Sequence, residues 1–132
     1  MENLPVPFVT ADSEPFWEAC NREQLLVQVC GLCGRPQWYP RGRCRYCYSY
    51  EMKWKEASGE GNVYSFSIVR RATDPAFAGM VPYVVALVEL DEGIRMITHI
   101  TDCELERLEI GARVVVHFRE QGGFKLPVFR PK

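Results

Sequence analysis

The sequence predicts a mostly β protein in three parts: an N-terminal helix, a metal-clipped ribbon and a five-stranded barrel. Three observations predict it. Two Cys-x-x-Cys pairs, Cys30/Cys33 and Cys44/Cys47, stand ten residues apart. A glycine-marked break, Ser58-Gly59-Glu60-Gly61, follows them. Beyond the break, alternating apolar runs recur between short turns to the end of the chain.

The bulk numbers set the frame. The chain has 132 residues, 47% hydrophobic and 25% charged, as in one compact unit with a modest core. No apolar run reaches about 18 residues, so no membrane span is expected. Met1 to Thr10 carries no basic segment followed by an apolar one, so it does not read as a signal peptide. A cytoplasmic setting is expected, and it would keep Cys20 and Cys103 reduced.

The parts divide at residues 1–24, 25–57 and 58–132. Met1 to Thr10, with Pro5 and Pro7, reads as an extended arm. Asp12 or Ser13 suits a helix N-cap, and Pro15 fits the first turn, where its missing N–H is not needed. Phe16, Ala19, Cys20 and Glu23 then share one face of a helix of about ten residues. A helix this short is marginal alone in water and must dock on something.

Gln24 to Val29 reads as a strand entering the first cysteine turn. Pro36 to Pro40 and Met52 to Trp54 supply the returning segments of a ribbon. Two such turns at this spacing signal a structural zinc site. Each aims two thiolates at one ion, and four thiolates close a tetrahedral shell with no open position. Cys30, Cys33, Cys44 and Cys47 are therefore the candidate Zn2+ ligands. The ribbon aromatics are expected to shield the sulfurs.

Charge is uneven. Residues 35–55 hold Arg35, Arg41, Arg43, Arg45, Lys53 and Lys55 against one acid, Glu51, whereas the whole chain is −1. A basic ribbon on an acidic body suits an anionic partner: nucleic acid, a phosphorylated cofactor, or an acidic protein surface. A solvated face is the plain alternative.

Val63 to Arg70 alternates as a half-buried strand. Arg71 to Val81 reads as a loop. Pro82 to Leu90 is almost continuously apolar, as in a strand covered on both faces. Asp91-Glu92-Gly93 turns the chain, and Ile94 to Ile100 returns. Thr101 to Glu104 matches a capping box before a helical turn at Leu105–Leu108. Ala112 to Arg119 and Phe124 to Phe129 complete five strands, with Pro127 suggesting an edge. Five strands with a helical turn between the third and fourth follow the order of an OB-fold. A small sandwich is the competing arrangement.

Several stretches carry a family likeness. They are the four cysteines; residues 58–66 (Ser-Gly-Glu-Gly-Asn-Val-Tyr-Ser-Phe); residues 74–78 (Asp-Pro-Ala-Phe-Ala) and 81–93; Ile110-Gly111; and residues 126–131 (Leu-Pro-Val-Phe-Arg-Pro). On these the chain resembles the bacterial and archaeal family with a rubredoxin-like zinc ribbon followed by an OB-fold, known as "domain of unknown function thirty-five". It departs from that pattern at Arg45, where the family has proline, and at Tyr48, where it has glycine. The resemblance implies an accessory subunit of a thiolase-fold enzyme (thiolase, aldolase or acyltransferase, sometimes a hydratase) acting on acyl-CoA. It also implies that the barrel binds the thioester or lines its path, while ribbon and helix meet the partner.

Chemistry within the chain itself reads as sparse. His99 and His117 fall in strands with apolar neighbours, and no motif makes either a general base. Cys20 reads as packed. Cys103 is a nucleophile candidate without a readable activating partner. No catalytic residue is therefore expected. A stand-alone acyl-CoA enzyme using Cys103 or His99 is one alternative. A single-stranded nucleic-acid module is another, because Trp38, Tyr39, Tyr46, Tyr48 and Trp54 lie among the basic residues. The pI near 6.1 weighs against that module. For acyl-CoA, residues 70–82 are the preferred location: Arg70 and Arg71 to meet phosphate, and Phe77, Met80 and Tyr83 to line an acyl or pantetheine path.

Overall fold

A computed structural model of the protein describes residues 4–132. The first three residues of the expected arm lie outside the described residues. The rest of the arm, residues 4–10, has no regular structure, and Leu4 is buried.

The predicted helix forms as α1, Glu14–Asn21, with Pro15 in its first turn. Ser13 holds the N-cap position, but its hydroxyl turns to the Thr10 backbone N–H at 3.0 Å and not to the helix. Phe16, Ala19 and Cys20 form the buried face. Glu23, expected on that face, instead has φ 59° beyond the helix end, and its carboxylate pairs with Lys125 at 2.9 Å.

The ribbon is a three-stranded antiparallel sheet of β1 (Leu26–Cys30), β2 (Pro36–Gln37) and β3 (Met52–Glu56), in the order β2-β1-β3. Five strands follow: β4 (Glu60–Val69), β5 (Tyr83–Leu90), β6 (Arg95–Ile100), β7 (Arg113–Gln121) and β8 (Phe124–Pro131). They close as β4-β5-β6-β8-β7, with Glu60–Asn62 pairing Arg113–Val115 to seal the barrel. Closure decides between the two arrangements the sequence left open. The order is that of an OB-fold, and a sandwich is excluded.

One core runs through both parts. Val63, Val84, Val88, Leu90, Met96, Val114 and Phe129 fill the barrel; Phe16, Cys20, Leu25, Val27 and Ala57 continue it under α1 and β1. Short ring contacts tie the helix to both sides. Phe16 meets Trp38 of the ribbon at 4.9 Å, and Trp17 meets Phe124 of β8 at 6.3 Å, both edge-on, the favoured aromatic geometry.

Five local expectations need correction. β5 is not covered on both faces: Val84, Ala86, Val88 and Leu90 are buried, while Tyr83, Val85, Leu87 and Glu89 are only half-buried. Of the outer residues, Val85 lines a cleft and Tyr83 a neighbouring pocket, both described below. Gly61 marks no turn but lies inside β4, where a Cβ would stand 2.3 Å from Glu89 O, so the glycine permits close approach of β4 to β5. Residues 75–80 are not an open loop. Pro75–Met80 form a 3-10 helix whose start is fixed by Asp74 Oδ1, which accepts from Ala76 N–H at 2.9 Å. The capping box does not form either: the turn is Leu105–Arg107 with Glu104 at its cap position, and Thr101 Oγ1 pairs with His117 Nε2 at 2.6 Å. Finally, Pro127 is not on a free edge. It pairs with Phe118 in β7, and its carbonyl accepts from Thr98 Oγ1 of β6 at 3.0 Å.

No helix among the described residues is long and apolar enough to cross a membrane.

Candidate functional site

The sequence points to two places, and each has a definite geometry. In the ribbon, the Sγ atoms of Cys30, Cys33, Cys44 and Cys47 all lie within 4.8 Å of one another, with Cys30–Cys47 and Cys33–Cys44 at 3.6 Å. A tetrahedral zinc ion with Zn–S near 2.3 Å sets sulfur–sulfur edges of about 3.8 Å. The donor set and its spacing therefore fit zinc. Backbone N–H groups of Leu32 and Cys33 point at Cys30 Sγ (3.3 and 3.4 Å), and those of Tyr46 and Cys47 at Cys44 Sγ (3.4 and 3.5 Å). The Cys33 N–H leads in lowering the Cys30 thiol to about 6. The Cys47 N–H leads in lowering Cys44. Both favour the thiolate a metal needs.

The two knuckles are built alike. Gly34 N–H bonds Cys30 O, and Tyr48 N–H bonds Cys44 O, each at 3.0 Å. Gly34 has φ 77° and Tyr48 has φ 66°. Tyr48 thus holds the left-handed conformation that glycine adopts more easily. Its carbonyl accepts from Arg43 Nε at 3.0 Å, and the Arg43 guanidinium lies 5.0 Å from its ring.

Below the metal cluster, two buried glutamines hold the basic loop. Gln28 takes the backbone of Arg41 on both sides: Nε2 donates to Arg41 O (2.7 Å), and Oε1 accepts from Arg41 N–H (2.8 Å). Gln37 donates to Gln28 Oε1 (3.0 Å) and Arg43 O (3.1 Å) and accepts from Arg45 N–H (2.9 Å). Of the ribbon aromatics, three tyrosines are exposed and two rings turn to the helix. Tyr46, Tyr48 and Tyr50 are exposed beneath arginines, and Trp38 and Tyr39 turn to α1, where Trp17 Nε1 donates to Tyr39 OH at 3.3 Å.

The second place is a cleft of about 460 Å³ on the outer face of β5 to β8, roofed by Pro5–Pro7 and walled by Trp17, Trp38 and Phe77. The outer face of the second and third OB strands, with the loop before them, is where such barrels take ligands. Phe77 and Tyr83 stand 5.8 Å apart, and Tyr83 stacks on His99 at 5.0 Å. Met80 and Tyr83 line a neighbouring pocket of about 280 Å³ that shares His99 and Arg119 with the cleft. Three of the five predicted ligand residues thus converge on one region. Arg70 and Arg71 do not. They are exposed and line neither cavity.

His99 and Arg119 carry the polar character of this region. Arg119 Nη1 and Nη2 lie 3.4 and 3.5 Å from His99 Nδ1. Since arginine only donates, Nδ1 accepts and the imidazole is neutral. Burial first, then the Arg119 charge, pushes His99 down to about 4. Nothing in the sequence marks Arg119. Its place at the end of β7 looks like any exposed polar alternation. Cys103 shares the smaller pocket with His99, but burial leads in pushing its thiol up, and no hydrogen bond joins it to either histidine among the described residues.

A four-thiolate ribbon ahead of a closed five-stranded barrel defines a zinc-ribbon/OB-fold protein. The chain belongs to the ChsH2/DUF35 family. Residues 17–52 match the rubredoxin-like zinc ribbon domain of ChsH2, and residues 54–119 match its C-terminal OB-fold domain. It is similar to a probable enoyl-CoA hydratase alpha subunit of Thermomonospora curvata (38% identity over 96% of this chain and 40% of that one). It is also similar to a DUF35 domain-containing scaffold protein of Methanothermobacter thermautotrophicus (36% identity, 85% and 90% coverage). A solved structure described as an Ltp2-ChsH2(DUF35) aldolase superposes with a TM-score of 0.86 at 37% identity, over 96% of this chain and 98% of that chain. The chain spans about two fifths of the hydratase subunit's length, and most of the scaffold protein's.

Proposed function

We propose that the chain is a scaffold subunit of a thiolase-fold enzyme complex that acts on acyl-CoA thioesters. The observation that carries this reading is the likeness, along nearly the whole of both chains, to the Ltp2-ChsH2(DUF35) aldolase structure. The hydratase-subunit and scaffold relatives point the same way.

In this reading the chain falls into three working parts, residues 1–24, 25–57 and 58–132, in a cytoplasmic setting. Cys30, Cys33, Cys44 and Cys47 hold one zinc ion. Zinc there supplies structure: a closed sulfur shell has no position for substrate. Ribbon and α1 present the surface that meets the enzyme. The barrel face takes the thioester. Phe77, Met80 and Tyr83 line the apolar path, and Arg70 and Arg71, exposed at the start of the same loop and outside both cavities, are free to meet phosphate.

The chain performs no chemistry alone. A neutral His99 bonded to a guanidinium cannot act as base toward the Cys103 thiol, which burial holds protonated.

The test is affinity purification of the tagged chain from its own cell. Recovery of a thiolase-fold protein in fixed ratio, whose aldolase, hydratase or acyltransferase activity falls when this chain is withheld, supports the reading. A thiolase-fold neighbour that is equally soluble and active without the chain would sink it.

A further inference from the structure

Arg119 is a charge out of place. It lies on β7 and reaches into the 460 Å³ cleft, whose other walls are mainly apolar: Trp17, Trp38, Phe77, Val85, Ile97 and Leu126. Its Nε is buried and has no hydrogen-bond partner. Its Nη groups meet only the neutral His99. Among the described residues it makes no ion pair, although it is partly buried. Burial pulls its guanidinium below the usual arginine range. A half-buried cation without a counter-charge costs stability, and folds keep such groups paired unless something else brings the anion.

We propose that this cleft binds an apolar carboxylate, with Arg119 taking the charge and the aromatic walls taking the body of the ligand. The chemistry selects this class. A planar guanidinium suits a carboxylate in two-point contact. A single cation is too little for a polyphosphate or a nucleic-acid backbone, which need several. The cleft volume is that of a small-molecule site. The arm crosses the same cleft, with Gln121 Nε2 donating to Pro5 O at 2.5 Å, so the ligand enters beside Pro5–Pro7. His99 keeps the guanidinium aimed into the cleft and contributes no charge of its own.

The cleft shares the barrel face and Phe77 with the thioester path proposed above, but ligand binding by the isolated chain is read separately from recovery of a partner, so failure of one is distinguishable from failure of the other. Two sources share the chemistry: a free aryl or alkyl acid, and an acyl thioester whose far end bears a carboxylate.

The test uses the zinc-loaded full chain and its own fluorescence, because two of its three tryptophans, Trp17 and Trp38, line the cleft. 4-Phenylbutyrate is titrated against 4-phenylbutanol, and S-glutaryl-N-acetylcysteamine against the S-butyryl compound. The acids are expected to bind about tenfold tighter than their neutral partners, the worth of one charge-assisted contact. The phenyl pair reports the free acid and the thioester pair the acyl-borne carboxylate; preference in either supports the site.

Arg119→Gln should bring the ratio to about one while leaving neutral-ligand binding in place. Ile97→Trp, at a rim position that is 68% exposed and so safe for folding, should weaken acid and alcohol alike. Equal binding of acid and alcohol by the native chain, no binding of either, or an unchanged ratio in a folded Arg119→Gln protein would overturn the proposal.

Discussion

Ribbon and barrel share one core yet are stabilised by different means. The barrel interior is apolar throughout, from Val63 to Phe129, and each strand is laddered on both sides. The ribbon contributes Leu25, Val27 and Ala57 to that core, with Val29, Trp38 and Trp54 packed against it only partly buried. Its interior away from the core is polar: four cysteines at one end and the Gln28–Gln37 amide pair beneath its basic loop. A segment of some thirty residues with so small an apolar share does not hold its shape on burial alone. The difference teaches what each part is for. The barrel's apolar interior calls for no ligand to hold it, which leaves its outer face free to carry a cleft. The ribbon's fold depends on specific bonds, and those bonds fix a surface of arginines and tyrosines in place.

That contrast can be broken at either end. The largest effect is expected from Cys33→Ala. Structural zinc contributes on the order of 10 kcal/mol to a small ribbon. Zinc content should fall from one per chain to near zero, and co-purification of the proposed enzyme partner should fail, with the barrel still folded by circular dichroism. Next, Phe129→Ala removes a fully buried ring from the barrel. It should cost about 3–5 kcal/mol, seen as a lower denaturant midpoint, while zinc is retained.

Gln28→Leu fits the space but strands the Arg41 backbone and the Gln37 amide. A loss of about 1–3 kcal/mol is expected, with faster zinc loss to a chelator and no change in barrel exchange rates. The smallest effect sharpens the comparison of the two knuckles. Tyr48→Gly should relieve a left-handed tyrosine worth about 1 kcal/mol, partly offset by the lost Arg43 stacking. Zinc release should slow by less than tenfold.

The barrel also carries a pH signature. His99 is held near 4 when folded, below the 6.5 of an ordinary histidine. Between those values the unfolded chain binds more protons, so stability rises with pH. It is fully expressed above about 6.5 and lost as pH falls toward 4. His99→Phe should flatten that slope in barrel amide exchange. An unchanged slope would show that another group controls it.

The sequence spoke clearly where one residue type has one use. Cysteine spacing, the Pro15 helix start, the Asp91–Gly93 turn and five apolar runs were enough for ribbon, helix and strand count, while closure of the barrel had to come from the structure. It misled where a pattern had two physical causes. The apolar outer face of β5 looked like a second core face, yet Val85 lines a cleft. Gly61 looked like a turn and is a close approach of two strands. Thr101 looked like a cap and bonds His117, sixteen residues away in sequence. Phe77, Met80 and Tyr83, singled out as apolar residues of one loop, do fall beside two neighbouring cavities. Arg119 was not legible, since nothing in a strand's alternation tells a solvated arginine from one lacking a counter-ion.

The central claim is that a bound metal holds the ribbon while the barrel stands without it. Amide hydrogen exchange before and after removal of zinc by a chelator tests this most directly. Residues 26–56 are expected to lose protection while the strands of residues 60–131 keep theirs. Loss of protection in both together, or in neither, would contradict it.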